Sequence, residues 1–223
     1  MIIMSKKILK WKNGELNTQF FLPDVVNIFT DASVDSERGI ACLALAIVYT
    51  NENYEDHVYT HPSTKICEIP SSFEGEQLAL MNGLMTYFSK ATDLSPMKIN
   101  IFTDSLATVQ AVRKKKKMRF ANTDNLSSKD VNDMISTAAK VCNINSISVY
   151  HVKAHIKKIK DMRKKFAEHN GMALSKYDAF QLLKYNNFVD RDANVNLRSD
   201  IENLELHRLT DKDLISDIHT DNR

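Results

Sequence analysis

Ten consecutive apolar residues, "IACLALAIVY" at 40 to 49, constrain this chain more than any other stretch. The run is half of what a membrane-spanning helix needs. It lies between two other β-rich runs, "VVNIFTDAS" and "YEDHVYTHPST", each set off by a short polar break. A short, wholly apolar run in that position reads as the central strand of an antiparallel meander, buried on both faces. Such a strand needs helices on either side of its sheet, and the downstream sequence supplies them. In "SSFEGEQLALMNGLMTYFSKA", Leu78, Met81, Leu84, Met85 and Phe88 recur at helical spacing, and Ser71 with Glu74 forms a capping-box pattern. Gly75 and Gly83 weaken that helix slightly.

After Pro96, "MKINIFTDS" predicts a strand and "LATVQAVRKK" a helix. "SSKDVNDMISTAAKVC" predicts a second helix with a serine cap, and "SISVYHVKAH" a fifth strand. The order β-β-β-α-β-α-α-β-α argues for an α/β fold, a mixed sheet with helices on its faces. Residues 6 to 21, with an Asn-Gly turn, predict an N-terminal β-hairpin, taken as an extension over 1–24. The main domain spans 25–198. Within it residues 156–185 read as helical in two pieces, broken at "HNG" (169 to 171), with Ser175 capping the second. A further helix, "NNFVDRDANVNLR", closes the domain, and an acidic tail of net charge −4 follows over 199–223.

With 223 residues and 43% hydrophobic content, the chain has enough apolar material for one real core and is cramped for two. Cys42, Cys67 and Cys142 stand alone, without zinc-ligand spacing. They read as reduced thiols, and with no visible signal or anchor the expectation is a soluble cytoplasmic protein without membrane partners. The net charge of +2 conceals a polarity. "RKKKKMR" (113 to 119) and "KAHIKKIKDMRKK" (153 to 165) each carry +6, so the remaining residues sum to −10. Basic charge gathered into two short runs on an otherwise acidic chain is the pattern of a nucleic-acid footprint, although a single run would equally suit a solvated helix end.

"NIFTDAS" (27 to 33) and "NIFTDS" (100 to 105) are nearly one phrase written twice. Two strands of one sheet that end alike can bring Asp31 and Asp104 side by side at their C-terminal ends. One such Asp is a turn residue, whereas two held close must share a proton or bind a cation. For an all-oxygen ligand set that cation is a hard divalent ion, Mg²⁺ or Mn²⁺.

The sequence resembles the ribonuclease H family in four motifs on the expected elements. These are "FTDAS" with Asp31; "EGEQLALMNGL" with Glu76, and Ala79 three residues on; "FTDS" with Asp104; and "NNFVDRDAN", where Asn186, Asp190 and Ala193 match N-x-x-x-D-x-x-A. Glu74 and Asp192 are the local alternatives. Capping suits Glu74 and leaves Glu76 for the metal, and the Asn and Ala spacing favours Asp190. "HVKAH" resembles the family's K-G-H segment and makes His155 the match for its mobile histidine.

The resemblance implies a five-stranded ribonuclease H-like fold. It also implies a metal-dependent endoribonuclease that cuts the RNA strand of RNA/DNA hybrids, leaving 5′-phosphate and 3′-hydroxyl ends. Two Mg²⁺ ions, with Mn²⁺ as substitute, would be held by Asp31 as the bridging ligand, Glu76 and Asp104 on the leaving-group side, and Asp190 on the water side. His155 would assist proton movement or product release. Arg113, Lys114, Lys115, Lys116, Lys117 and Arg119 occupy the position of the family's basic protrusion. Lys157 and Lys158 add phosphate contacts, and Ser72 a contact to ribose. The sequence departs from the family at Ala32, at "SSFEGE" and at Leu106, which bears on ribose recognition and not on metal chemistry. The alternatives are a ribonuclease H-fold DNA nuclease or transposition-type enzyme, and a non-catalytic nucleic-acid-binding module. Residues 156–185 are a helical insertion relative to the family, and with Ile156, Ile159, Met162 and Phe166 on one stripe and lysines elsewhere they read as a lid over the substrate or as a helical pair packed away from the site.

Overall fold

The structure is a computed structural model that describes residues 18–53, 55–67, 69, 71–90, 98–113 and 146–220, with backbone alone for 62–63, 90 and 204–220. Its elements in chain order are β1 (Val25–Asp35), β2 (Ile40–Thr50), β3 (Asp56–Cys67), α1 (Ser72–Lys90), β4 (Lys98–Thr103), α2 (Leu106–Arg113), β5 (Ser146–His151), α3 (Ile159–Asn170) and α4 (Lys176–Thr220). The strands form one sheet in the order β3-β2-β1-β4-β5. β1, β2 and β3 pair antiparallel, while β4 runs parallel to both β1 and β5. This is the mixed α/β sheet expected from the sequence.

The apolar run of β2 is buried on both sides. Its Leu45 and Ile47 join Leu80, Met81, Leu84 and Val109 of α1 and α2 on one face. Its Ala44, Ala46 and Val48 join Tyr185, Val189 and Ala193 of α4 on the other. Each large aliphatic side chain buried in this way contributes roughly 1.5–3 kcal/mol.

Helix ends follow local chemistry. The Ser71 hydroxyl accepts the Glu74 N–H at 3.3 Å and starts α1. The Ser175 hydroxyl accepts the Asp178 N–H at 2.9 Å and starts α4. Gly171, at φ 70, closes α3 in the left-handed conformation, where a β-carbon is penalised.

Three expectations change. The hairpin over 6 to 21 lies mostly outside the described residues, and its described end is bend, not strand. That end inserts Phe20 and Phe21 into the core, where Phe20 meets Phe102 edge-on at 5.3 Å and Tyr150 at 5.2 Å. Second, α3 is no lid. Met162 and Phe166 are each 1% exposed and share the core cluster with Phe20, Phe102 and Val152, so this part of the stripe packs into the core, while Ile159 at its start stays exposed. Third, the second insertion piece, the closing helix and the tail through residue 220 form one 45-residue helix, about 67 Å long at 1.5 Å per residue. Residues 176–220 contain neither Gly nor Pro, so nothing local ends it. The helix expected at 127 to 142 lies outside the described residues.

Candidate active site

The doubled phrase lies against itself. β1 and β4 pair in parallel with Asn27 opposite Asn100, Ile28 opposite Ile101 and Phe29 opposite Phe102. Asn100 Nδ2 donates to Asn27 Oδ1 at 3.0 Å, and the two phenyl rings stack at 4.8 Å. With equal spacing from this register, Asp31 and Asp104 reach the same level of the sheet. Asp31, however, is not at the end of its strand. β1 continues to Asp35, paired with β2, whereas β4 stops at Thr103, so Asp31 sits where its parallel neighbour has ended.

Glu76 arrives from α1, which rests closely on β1. A β-carbon at Gly75 would lie 2.6 Å from Val34 Cγ2, and one at Gly83 2.8 Å from Thr30 Cγ2. The two glycines that weaken the helix intrinsically are what let it approach. Glu76 Oε1 accepts the Ala32 N–H at 3.2 Å, and Oε2 accepts the Thr103 hydroxyl at 3.0 Å. Asp31, Glu76 and Asp104 thereby present ligand oxygens within 4.8 Å of one another.

Asp190 approaches from α4. Its Oδ1 accepts from Asn194 Nδ2 at 3.0 Å, and Asn194 Oδ1 accepts from the Ser33 hydroxyl at 2.9 Å, which ties the helical carboxylate to β1. The His155 ring reaches within 3.7 Å of Asp190 Oδ2 from an exposed turn. Its backbone is left-handed at φ 58, a conformation costly for a non-glycine residue.

Burial raises the Asp31 pKa to about 7, and the neighbouring Asp104 and Asp190 charges add to the effect. Burial also raises Glu76, with the Asp31 and Asp104 charges next in size. Asp104 is raised by burial and by Asp190, against a lowering pull from His155 and Lys153. Without a cation these acids cannot all ionise near neutral pH. Buried oxygen ligands with their charge held back suit a hard divalent ion.

A family model for RNase H matches residues 23–173. The chain belongs to the ribonuclease H family. Membership places it among the nucleases. The matched range takes in Asp31, Glu76, Asp104 and His155, so the placement of Asp190 rests on the geometry of α4. Among solved structures, the chain is similar to LC11-RNase H1, isolated from compost by a metagenomic approach, at 17% identity over 69% of this chain and 98% of that one, TM-score 0.42. It is similar to RNase H1 of the halophilic archaeon Halobacterium salinarum at 12% identity over 64% and 93%, TM-score 0.33. It is also similar to the prototype foamy virus protease-reverse transcriptase at 15% identity over 74% and 22%, TM-score 0.43. No curated protein sequence matches.

Of the alternatives within each ribonuclease H motif, Glu76 lies in the cluster while the Glu74 N–H takes part in the helix cap. Asp190 acts on Asp31 and Asp104, whereas Asp192 acts on Cys42. Ser72 is exposed in the first turn of α1, and Lys157 and Lys158 are exposed between His155 and α3. Arg113, itself exposed, donates from its guanidinium to the carbonyls of His169 and Val149 and to Asn170 Oδ1, at 3.2, 3.2 and 2.7 Å, so it also ties the end of α2 to β5 and α3. Lys114, Lys115, Lys116, Lys117 and Arg119 lie outside the described residues.

Sequence reading missed Thr103, Ser33 and Asn194, which hold the acids in place. The threonine repeated before each Asp was the available signal for the first. β5 ends at His151, which is buried, and His155 stands beyond it on the turn. Burial lowers the His151 pKa to about 4, with the His169 charge second. Among the described residues no helix is long and apolar enough to cross a membrane.

Proposed function

We propose that this ribonuclease H is a divalent-metal-dependent endonuclease that cuts the RNA strand of RNA/DNA hybrids to 5′-phosphate and 3′-hydroxyl ends. The observation that carries the reading is the meeting of Asp31, Glu76 and Asp104 from three separate elements, with ligand oxygens within 4.8 Å. Asp190 would complete the set. These four residues would hold two ions, Mg²⁺ or Mn²⁺ as substitute, which when bound supply an activated water, charge neutralisation and a stabilised leaving oxygen. Glu76 is oriented by the Ala32 amide and the Thr103 hydroxyl, so both its oxygens have fixed directions. Asp190 is oriented by Asn194. The His155 side chain, 79% exposed and 3.7 Å from Asp190 Oδ2, would assist proton movement or product release. Lys157, Lys158 and the basic run after Arg113 would contact phosphates, and Ser72 a ribose hydroxyl. The substrate class is taken from membership of the ribonuclease H family. LC11-RNase H1, one of the similar proteins, has itself been crystallised in complex with RNA/DNA hybrid.

The test is incubation of end-labelled hybrid, single-stranded RNA, duplex RNA and duplex DNA with the protein in Mg²⁺, Mn²⁺ or chelator. Cleavage of the RNA strand of the hybrid alone, abolished by chelator, is the expected result. Preferential cleavage of duplex DNA would replace the reading with a DNA nuclease, and binding without cleavage in either metal would replace it with a binding module.

A further inference from the structure

The carbonyl of Asp104 lies just beyond the last ladder pair of β4 and β5, Thr103 opposite His151. A main-chain carbonyl in a half-buried place requires a donor. The donor here is a side chain: His151 Nε2 meets the Asp104 carbonyl oxygen at 2.9 Å. A carbonyl only accepts, so Nε2 carries the proton and Nδ1 of the neutral ring is the acceptor. His169 Nδ1 lies 2.7 Å from that acceptor and is therefore its donor. The tautomer that serves Asp104 is thus set by a residue at the end of α3.

The main chain of His151 is gripped as well. Asn170 Oδ1 accepts the His151 N–H at 3.0 Å, and Asn170 Nδ2 donates to the His151 carbonyl at 2.8 Å, so the carboxamide acts as one more strand residue beside β5. Its remaining capacity goes to Arg113 Nη2 at 2.7 Å and to the Phe166 carbonyl at 3.1 Å. Nothing in this clamp touches the carboxylate cluster directly. Its one bond to the site is to the main chain at Asp104, where the chain leaves β4.

We propose that His151 and Asn170 are positioning residues for Asp104, and that the inserted helix α3, through His169 and Asn170, is the brace that sets this carboxylate for metal. The inference rests on the reading of Asp104 as a metal ligand. Groups that orient ligands from behind typically change metal affinity or activity by about 10–100-fold when removed.

The experiment is Mg²⁺ titration by calorimetry of the folded, substrate-free protein, as wild type, His151→Phe and His151→Gln, with hybrid cleavage measured in parallel. His151→Phe keeps an aromatic ring but loses the donor. It is expected to weaken Mg²⁺ binding about tenfold and to lower kcat with little change in KM. His151→Gln offers an amide donor and is expected to recover most of the loss. The proposal is overturned if His151→Phe binds Mg²⁺ as wild type does, or if His151→Gln recovers nothing, which would make the ring a packing element. It is also overturned if wild type binds no Mg²⁺. Should His151→Phe not fold, His169→Ala removes the tautomer partner from a half-buried position, with the same loss expected and unchanged Mg²⁺ binding overturning the proposal. A wild type that binds Mg²⁺ but cuts no substrate refutes the proposed function while calorimetry still decides the brace.

Discussion

Asp104 has a different local role from Asp31 and Glu76. Asp31 and Glu76 are buried, at 6% and 7% exposure, whereas Asp104 is half-buried at the mouth of the cluster. Replacing it by Asn therefore disturbs packing little, and removes one anionic ligand. We expect Asp104→Asn to fold and bind hybrid nearly as wild type does but to lose cleavage by several orders of magnitude, at about 1.4 kcal/mol of barrier per factor of ten. Single-turnover kinetics beside a binding isotherm check it; near-normal turnover would refute the assignment of Asp104 to the metals.

At the level of elements, α3 carries two properties on opposite faces. Its inner face is core: Phe166 meets Phe20 at 5.8 Å and Tyr150 at 5.9 Å. Phe166→Ala should cost about 3–5 kcal/mol, because the surrounding rings cannot collapse into the space. Denaturant unfolding measures this, and a cost below about 1 kcal/mol would return α3 to the status of a detachable lid. The outer face carries exposed Lys160 and Lys164 and continues from exposed Lys157 and Lys158. Changing all four to Ser should weaken binding to every duplex alike and flatten its salt dependence, by about 0.9 in the log-log slope for each phosphate that is no longer neutralised. The same holds for Lys114 to Lys117. An unaltered slope in either variant would make that run a solvated surface.

For the whole molecule, the acids couple stability to pH and to metal. The folded-state pKa of Asp31, about 7, lies above its ordinary 3.8, so between those values the folded chain holds a proton that the unfolded chain has released. The contribution of Asp31 to stability is therefore full below about pH 4 and falls as pH rises towards 7, with Glu76 and Asp104 acting in the same direction. His151 acts oppositely. Its folded-state pKa of about 4 lies below the ordinary 6.5, so its contribution is lost as pH falls through that interval. Mg²⁺ separates the two, because it neutralises the acids and leaves the histidine alone. The stabilisation by Mg²⁺ in thermal melts should grow from pH 5 to pH 8, and Asp31→Asn should melt higher than metal-free wild type at pH 8, by up to a few kcal/mol at roughly 1.4 per pKa unit. A Mg²⁺ effect that is flat with pH would refute this coupling.

Local sequence was enough for the order of the five strands and of α1 and α2 between them, the caps at Ser71 and Ser175, the Gly171 stop and the three acids that meet, Asp31, Glu76 and Asp104, because each is carried by a few neighbouring residues. The doubled "NIFTD" phrase even carried its own register, once β1 and β4 were known to be parallel. The continuity of α4 was also written there, in the lack of Gly and Pro from 176 to 220, but motif matching divided the helix at Asn186. Other features came from the assembled chain alone. The stripe of α3 shows that a partner is needed and not which one, so core and lid look alike until the sheet face is seen. Arg113 reads as one more base in a basic run until the carbonyls of His169 and Val149 close on it. Asp31 reads as a strand end until β2 is seen to extend past β4. In each case the deciding partner is distant along the chain, and packing between distant segments is not carried by local sequence.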